Sequence, residues 1–135
     1  MIKKKGVTAV ETVFMLPILI LILTYTLTGG QLVINEILCK NAVEDSLRTA
    51  VVQTNEKKDI VAKRTFSSDV KNAFGIIGGS DNIKITSDGD WRRGNTATAN
   101  GSIQFRAFIP VPTQNGFTSL VTMNKKATMA IEYNG

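Results

Sequence analysis

The chain has 135 residues, a formal net charge of +5 from 16 basic and 11 acidic side chains, one cysteine and no histidine. A single cysteine excludes an intrachain disulfide, and the lack of histidine removes the commonest general base and the commonest neutral metal ligand. Three of the positive charges are Lys3, Lys4 and Lys5, which leaves only +2 for the rest. The basic balance is therefore an N-terminal feature and gives weak support to a nucleic-acid partner.

Residues 1–6, MIKKKG, are too few for a domain and read as a leader. Residues 12–34 carry no charged side chain. At ~1.5 Å per helical residue they span roughly 34 Å, enough to cross a bilayer core. The run is too long for an ordinary signal peptide and no A-x-A site follows it. Short basic flanks stay in the cytoplasm, so the three lysines place the N-terminus inside and the remainder outside.

Pro17 removes a backbone donor and predicts a kink in a helix that lipid-embedded neighbours still support. Gly29 and Gly30 predict either local loosening or close approach of another helix. The helical period continues past the apolar run. Ile34, Leu38, Ala42, Val43, Leu47 and Val51 make an apolar stripe, with Glu36–Lys40 and Glu44–Arg48 as i,i+4 pairs on the polar side. One helix is expected from about Val7 to about Val52, roughly 70 Å long. Cys39 falls just beyond the membrane and reads as a small packed residue.

Asn55 is a plausible N-cap for a second helix over residues 56–74, with Ala62, Phe66, Val70 and Phe74 facing the first and Gly75 as the C-terminal cap. The period then changes to two. Strands are expected over residues 83–87, 102–109 and 127–133, with a short extra one near 95–99. Asp88-Gly89 and Asn100-Gly101 are hairpin-turn signals, and Pro110 and Pro112 should end the middle strand. Residues 113–124 read as a loop with an apolar patch at Phe117, Leu120 and Val121. The fold class is thus α+β. A long transmembrane helix continues into a small domain with a second helix and an antiparallel sheet of three or four strands.

The leader and helix together resemble a class III, type IV pilin-like prepilin. That class has a short basic leader ending in glycine, then a helix whose fifth residue after the cut is glutamate. Lys3-Lys4-Lys5-Gly6, Val7 and Glu11 fit this pattern. More narrowly, Gly6-Val7-Thr8-Ala9-Val10-Glu11 followed by Leu16-Pro17 is similar to the TadE-type pseudopilins. These typically read glycine, any residue, Ala-Ala-Val-Glu-Phe, then an apolar stretch with Leu-Pro. The closing Ala127-Thr128-Met129-Ala130-Ile131-Glu132 is also similar to their last strand. Thr8 and Thr12 depart from the pattern, and the additional domain cysteines common in the family are absent. The resemblance implies cleavage between Gly6 and Val7 by a prepilin peptidase, often with N-methylation. It further implies a role for Glu11 in assembly, and incorporation into, or help in assembling, a type IV pilus-like filament. Its implied partners are that peptidase, other pilin or pseudopilin subunits meeting the N-terminal helix, and the pilus assembly machinery.

No residue constellation supports catalysis, and no cofactor or metal ligand set is recognisable. Gly78-Gly79-Ser80 lacks the setting of a nucleophile elbow, and Asp88-Gly89-Asp90 reads as a turn before it reads as a calcium loop. Trp91-Arg92-Arg93 has two readings: a surface that stacks on bases and holds phosphates, or a hairpin flank with Trp91 covering the sheet. The second is favoured, because one triplet is not a groove. The residues and the resemblance together predict a leader (1–6), a transmembrane assembly helix (7–34) and an extracytoplasmic α+β domain (35–135); that the chain reaches the cell surface as part of a filament is what the resemblance implies. An uncleaved single-pass anchor and a tip subunit that binds DNA or a surface are the alternatives.

Overall fold

The computed structural model describes the backbone of residues 2–133 and the side chains of residues 8–133. Two helices and three strands follow in the order α1 (Ile2–Val51), α2 (Lys58–Val70), β1 (Asn82–Ser87), β2 (Thr96–Thr113) and β3 (Gly116–Ala130). The strands form one antiparallel sheet in the order β1-β2-β3. This is the α+β architecture the sequence implies.

At ~1.5 Å per residue α1 is roughly 75 Å long. It stays helical through Pro17 and through Gly29 and Gly30. Its first half is exposed from residue 8 to residue 22, and its second half is the spine of the domain. Cys39, Ala42, Val43, Leu47 and Ala50 of α1 meet Ala62, Phe66 and Val70 of α2 and cover one face of the sheet. That face presents Ile83 and Ile85 from β1, and Ala97, Ala99, Ile103 and Phe105 from β2. Strand alternation sends Lys84, Asn100 and Lys126 to the opposite, solvated face.

The buried stripe of α1 is not quite the expected one. Ile34 is 48% exposed, whereas Gln31 and Asn35 are buried. Glu36 meets Lys125 at 2.6 Å and makes no ion pair with Lys40, while Glu44 and Arg48 form no ion pair among the described residues. Helix α2 is shorter than residues 56–74. Its N-cap is Lys57 rather than Asn55, with the Thr54 hydroxyl 3.4 Å from the Lys57 amide and Asn55 Oδ1 taken by the Lys58 ammonium. Because α2 ends at Val70, Phe74 leaves the helical face and is exposed, and Ala73 is buried in its stead.

The sheet differs more. Asn100-Gly101 is no turn: it lies inside β2, and the expected strands near 95–99 and over 102–109 are one. A Cβ on Gly101 would collide with Val43 and come within 2.8 Å of the Phe66 ring, so glycine is required for space, not for a turn. The proline pair does not stop β2 either. The strand passes a register shift between Arg106 and Val111 and continues to Thr113. The chain reverses at Gln114 and Asn115, with Thr113 paired to Gly116 at φ +118°. Residues expected as a loop thus form the first part of β3, and β2 with β3 makes one long hairpin. The expected inward set Ala127, Met129, Ile131 and Tyr133 does share a face.

Candidate assembly surface and its clamp

The expected cleavage site lies in the first turns of α1. Gly6 and Val7 fall in the helix backbone, while the side chains of Lys3, Lys4, Lys5 and Val7 are outside the described residues. Glu11 follows on an exposed turn and has no ion-pair partner among the described residues. Around it Val10, Val13, Phe14, Leu16, Ile18 and Leu19 are all more than half exposed. Thr12, Thr24 and Thr26 return their hydroxyls to carbonyls four residues earlier, which lets them sit on an apolar helix without unmet donors. A Cβ on Gly29 or Gly30 would meet nothing within 4 Å, so the space beside both is open. Among the described residues, one helix is long and apolar enough to cross a membrane, and its most apolar stretch is not buried. So large an unpartnered apolar surface on a folded domain marks a membrane or protein contact.

Two buried amides tie this helix to the rest of the domain, Gln31 to β2 and Asn35 to the segment after α2, and sequence reasoning missed both. Gln31 Nε2 donates to the Phe74 carbonyl at 2.9 Å and to the Arg106 carbonyl at 2.6 Å, and Gln31 Oε1 accepts the Phe108 N–H at 3.0 Å. Asn35 Nδ2 donates to the Phe74 carbonyl and its Oδ1 accepts the Phe74 N–H, both at 2.9 Å. The only sequence signal was their spacing of four, one turn apart on the buried face. Glu36, the residue after Asn35, meets Lys125 at 2.6 Å. The hydrogen bond from the Lys125 ammonium, and then its charge, hold the Glu36 carboxyl below the usual carboxylate range against a small opposing effect of burial.

Gly75 is not the cap of α2. At φ +73° it lays residues 75–77 along β2, its carbonyl accepting the Arg106 N–H at 2.9 Å. A Cβ there would strike the Arg106 carbonyl.

Cys39 is fully buried, and burial pushes its thiol up to about 11, well away from a reactive thiolate. Trp91 is only 9% exposed; its Nε1 donates to the Gln53 carbonyl at 2.8 Å and Lys58 Nζ lies 5.1 Å from its ring centre. The ring closes the end of the helix pair. Beside it Arg92 reaches Asp90 at 3.6 Å, and Arg93 is exposed.

Comparison with known proteins adds one result. No curated protein and no solved structure matches the chain. Residues 6–48 match the model of a family described as TadE-like protein, a span that begins at Gly6, takes in Glu11, Pro17, Gln31 and Asn35, and ends inside α1. Over residues 6–48, then, the chain carries a TadE-like segment, in keeping with a TadE-like pilin-like protein.

Proposed function

We propose that the protein is a TadE-like pseudopilin: a non-catalytic subunit that enters the cytoplasmic membrane through α1, is cut between Gly6 and Val7, and takes part in building a type IV pilus-like filament. One observation carries the reading. The exposed half of α1 is an apolar rod with a single carboxylate, Glu11, near its start, rigidly continued into a folded domain. A rod of this kind has two uses. It dissolves in lipid before assembly, and it packs against copies of itself afterwards.

The lysines at positions 3 to 5 hold the N-terminus in the cytoplasm, and the domain lies outside. Open space beside Gly29 and Gly30 suits the close approach of a neighbouring helix. The test is to isolate surface filaments and the membrane fraction and measure the N-terminal mass of this chain in each. A mature terminus at Val7, with the chain present in filaments or needed for their formation, is expected. A terminus at Met1 in cells with an active prepilin peptidase refutes the reading and leaves an uncleaved anchor.

A further inference from the structure

The β2–β3 hairpin has no place in a role confined to α1. Its far end does not stay with the domain. Beyond Arg106 it runs back along the exposed half of α1, and a cleft of about 720 Å³ separates the two. Pro17, Leu21 and Tyr25 line the helix side of the cleft; Ile109, Pro110 and Phe117 line the hairpin side. The tip is therefore level with the middle of the apolar helix.

Charge stops at the same level on both. Residues 12–35 of α1 carry no charged side chain, and neither do residues 107–124 of the hairpin. On the domain side of these two stretches the first charges are Glu36 on the helix and Arg106 and Lys125 on the strands, and Glu36 and Lys125 are in contact. One plane thus divides the charged domain from a charge-free helix with a charge-free hairpin beside it.

A hairpin in lipid has a further problem, its unpaired backbone edges. Here the edge of β2 away from β3 is met in turn by β1, by Gly75 and Ile77, and by Gln31. Pro110 and Pro112 follow at alternate positions and have no N–H to satisfy. On β3 the Thr118 hydroxyl accepts the Leu120 N–H at 3.1 Å and donates to the Leu120 carbonyl at 3.3 Å. The turn still carries two amides, Gln114 and Asn115. They are outnumbered by Phe108, Ile109, Val111, Phe117 and Leu120.

We propose that the hairpin over residues 107–124 is a second membrane element, a finger that enters the outer leaflet beside α1. The occupant of its exposed apolar face is lipid. The inference rests on α1 crossing a bilayer with the domain outside, and is independent of cleavage and polymerisation.

The experiment uses the full chain in phosphatidylethanolamine–phosphatidylglycerol vesicles at low protein density. A nitroxide is placed at one introduced cysteine in a Cys39→Ala background: Phe117→Cys, Leu120→Cys, Leu19→Cys on α1, or Lys126→Cys on the solvated face. Phe117 is 73% exposed, so its label disturbs no packing. Collision with dissolved oxygen and with a water-soluble nickel chelate is then measured. The labels at 117 and 120 should follow the one at 19, with oxygen favoured over nickel by several-fold, while the label at 126 shows the reverse. A wet label at 117 and 120 beside a lipid-buried one at 19 overturns the finger. So does shielding from both reagents that appears only at high protein density, which assigns the face to a second copy. A wet label at 19 overturns the membrane reading of α1 and the finger with it.

Discussion

Gln31 holds Phe108 as a paired strand would: its Oε1 accepts the Phe108 N–H at 3.0 Å while its Nε2 donates to the Arg106 carbonyl at 2.6 Å. One side chain of α1 thereby does the work of two ladder bonds at the edge of β2, just where β1 and residues 75–77 have run out. The same nitrogen also reaches Phe74, so the amide joins the helix, the segment after α2 and the hairpin.

Replacing Gln31 by leucine keeps the volume and removes all three bonds. The backbone groups of Arg106 and Phe108 then lose their partner in a half-buried place. A loss of about 2 kcal/mol is expected, the scale of a buried polar group left unmet. Hydrogen exchange locates the loss: the Phe108 amide should exchange much faster while amides in α2 keep their protection. Equal protection at Phe108 in both proteins contradicts the clamp.

Gly101 gives a second prediction. Its φ is not positive, so alanine is allowed by the backbone, yet a Cβ would press on Val43 and on the Phe66 ring. Gly101→Ala should destabilise by about 1–3 kcal/mol, the range for overpacking a filled core. Gly79→Ala is the contrast: its Cβ would meet nothing within 4 Å, and only the φ of +78° resists it. Denaturant midpoints of the two variants decide between crowding and backbone strain. A Gly101→Ala midpoint at the wild-type value means the helices can move away from the sheet.

These two residues also show what the sequence could and could not convey. The long helix, its buried stripe beyond Leu38, and the period-two strands were legible because each depends on local spacing. Asn100-Gly101 and Asn115-Gly116 are the same dipeptide, yet the chain runs straight through the first and reverses at the second. What separates them is distant in sequence, since Val43 and Phe66 stand over Gly101. Pro110 and Pro112 misled for a related reason. A proline ends a strand that has neighbours on both sides, but here it lies on an open edge, where a missing N–H costs little. Gln31 and Asn35 were invisible because polar side chains beside an apolar run give no sign of the carbonyls they will meet. The roles expected of Gly6 and Glu11 rest on the family pattern, together with the cost of a carboxylate beside an apolar run.

Asp69 faces Asp45 across the α1–α2 contact. Burial, then the hydrogen bond that the protonated Asp69 carboxyl donates to Asp45, and then the charge of Asp45, raise the Asp69 carboxyl above its ordinary 3.8. A raised folded-state pKa means that Asp69 favours the fold while protonated, and that this contribution is lost as pH rises through the folded value. At neutral pH two carboxylates therefore repel. Asp69→Asn should stabilise at pH 7 by about 0.5 kcal/mol, the size of a partly exposed charge pair, and give no gain near pH 3. Thermal midpoints of the two proteins across that interval measure it. A gain that is the same at both ends points to packing and not to charge.

The last prediction concerns Glu11. In the single chain it is exposed and has no ion-pair partner among the described residues, on a helix otherwise free of charge from residue 12 to residue 35. A carboxylate in this position is costly in lipid and calls for a counter-charge. Cutting after Gly6 creates one, an ammonium on Val7, about one helical turn away. When apolar helices bundle with little water between them, the Val7 ammonium of an adjacent copy is the group that Glu11 can meet. The pair then fixes the axial register, because a helix displaced along its neighbour leaves a lone buried charge costing about 3–5 kcal/mol. Glu11→Gln keeps the shape and removes the charge. The variant should be made, inserted and cut like the wild type, and then fail to assemble or to support assembly. Fractionation of cells into membrane and surface filaments, with N-terminal mass on each fraction, reads every step. Wild-type filament number and composition in the variant would return Glu11 to a headgroup-solvated residue near the start of α1, favoured only by the helix dipole.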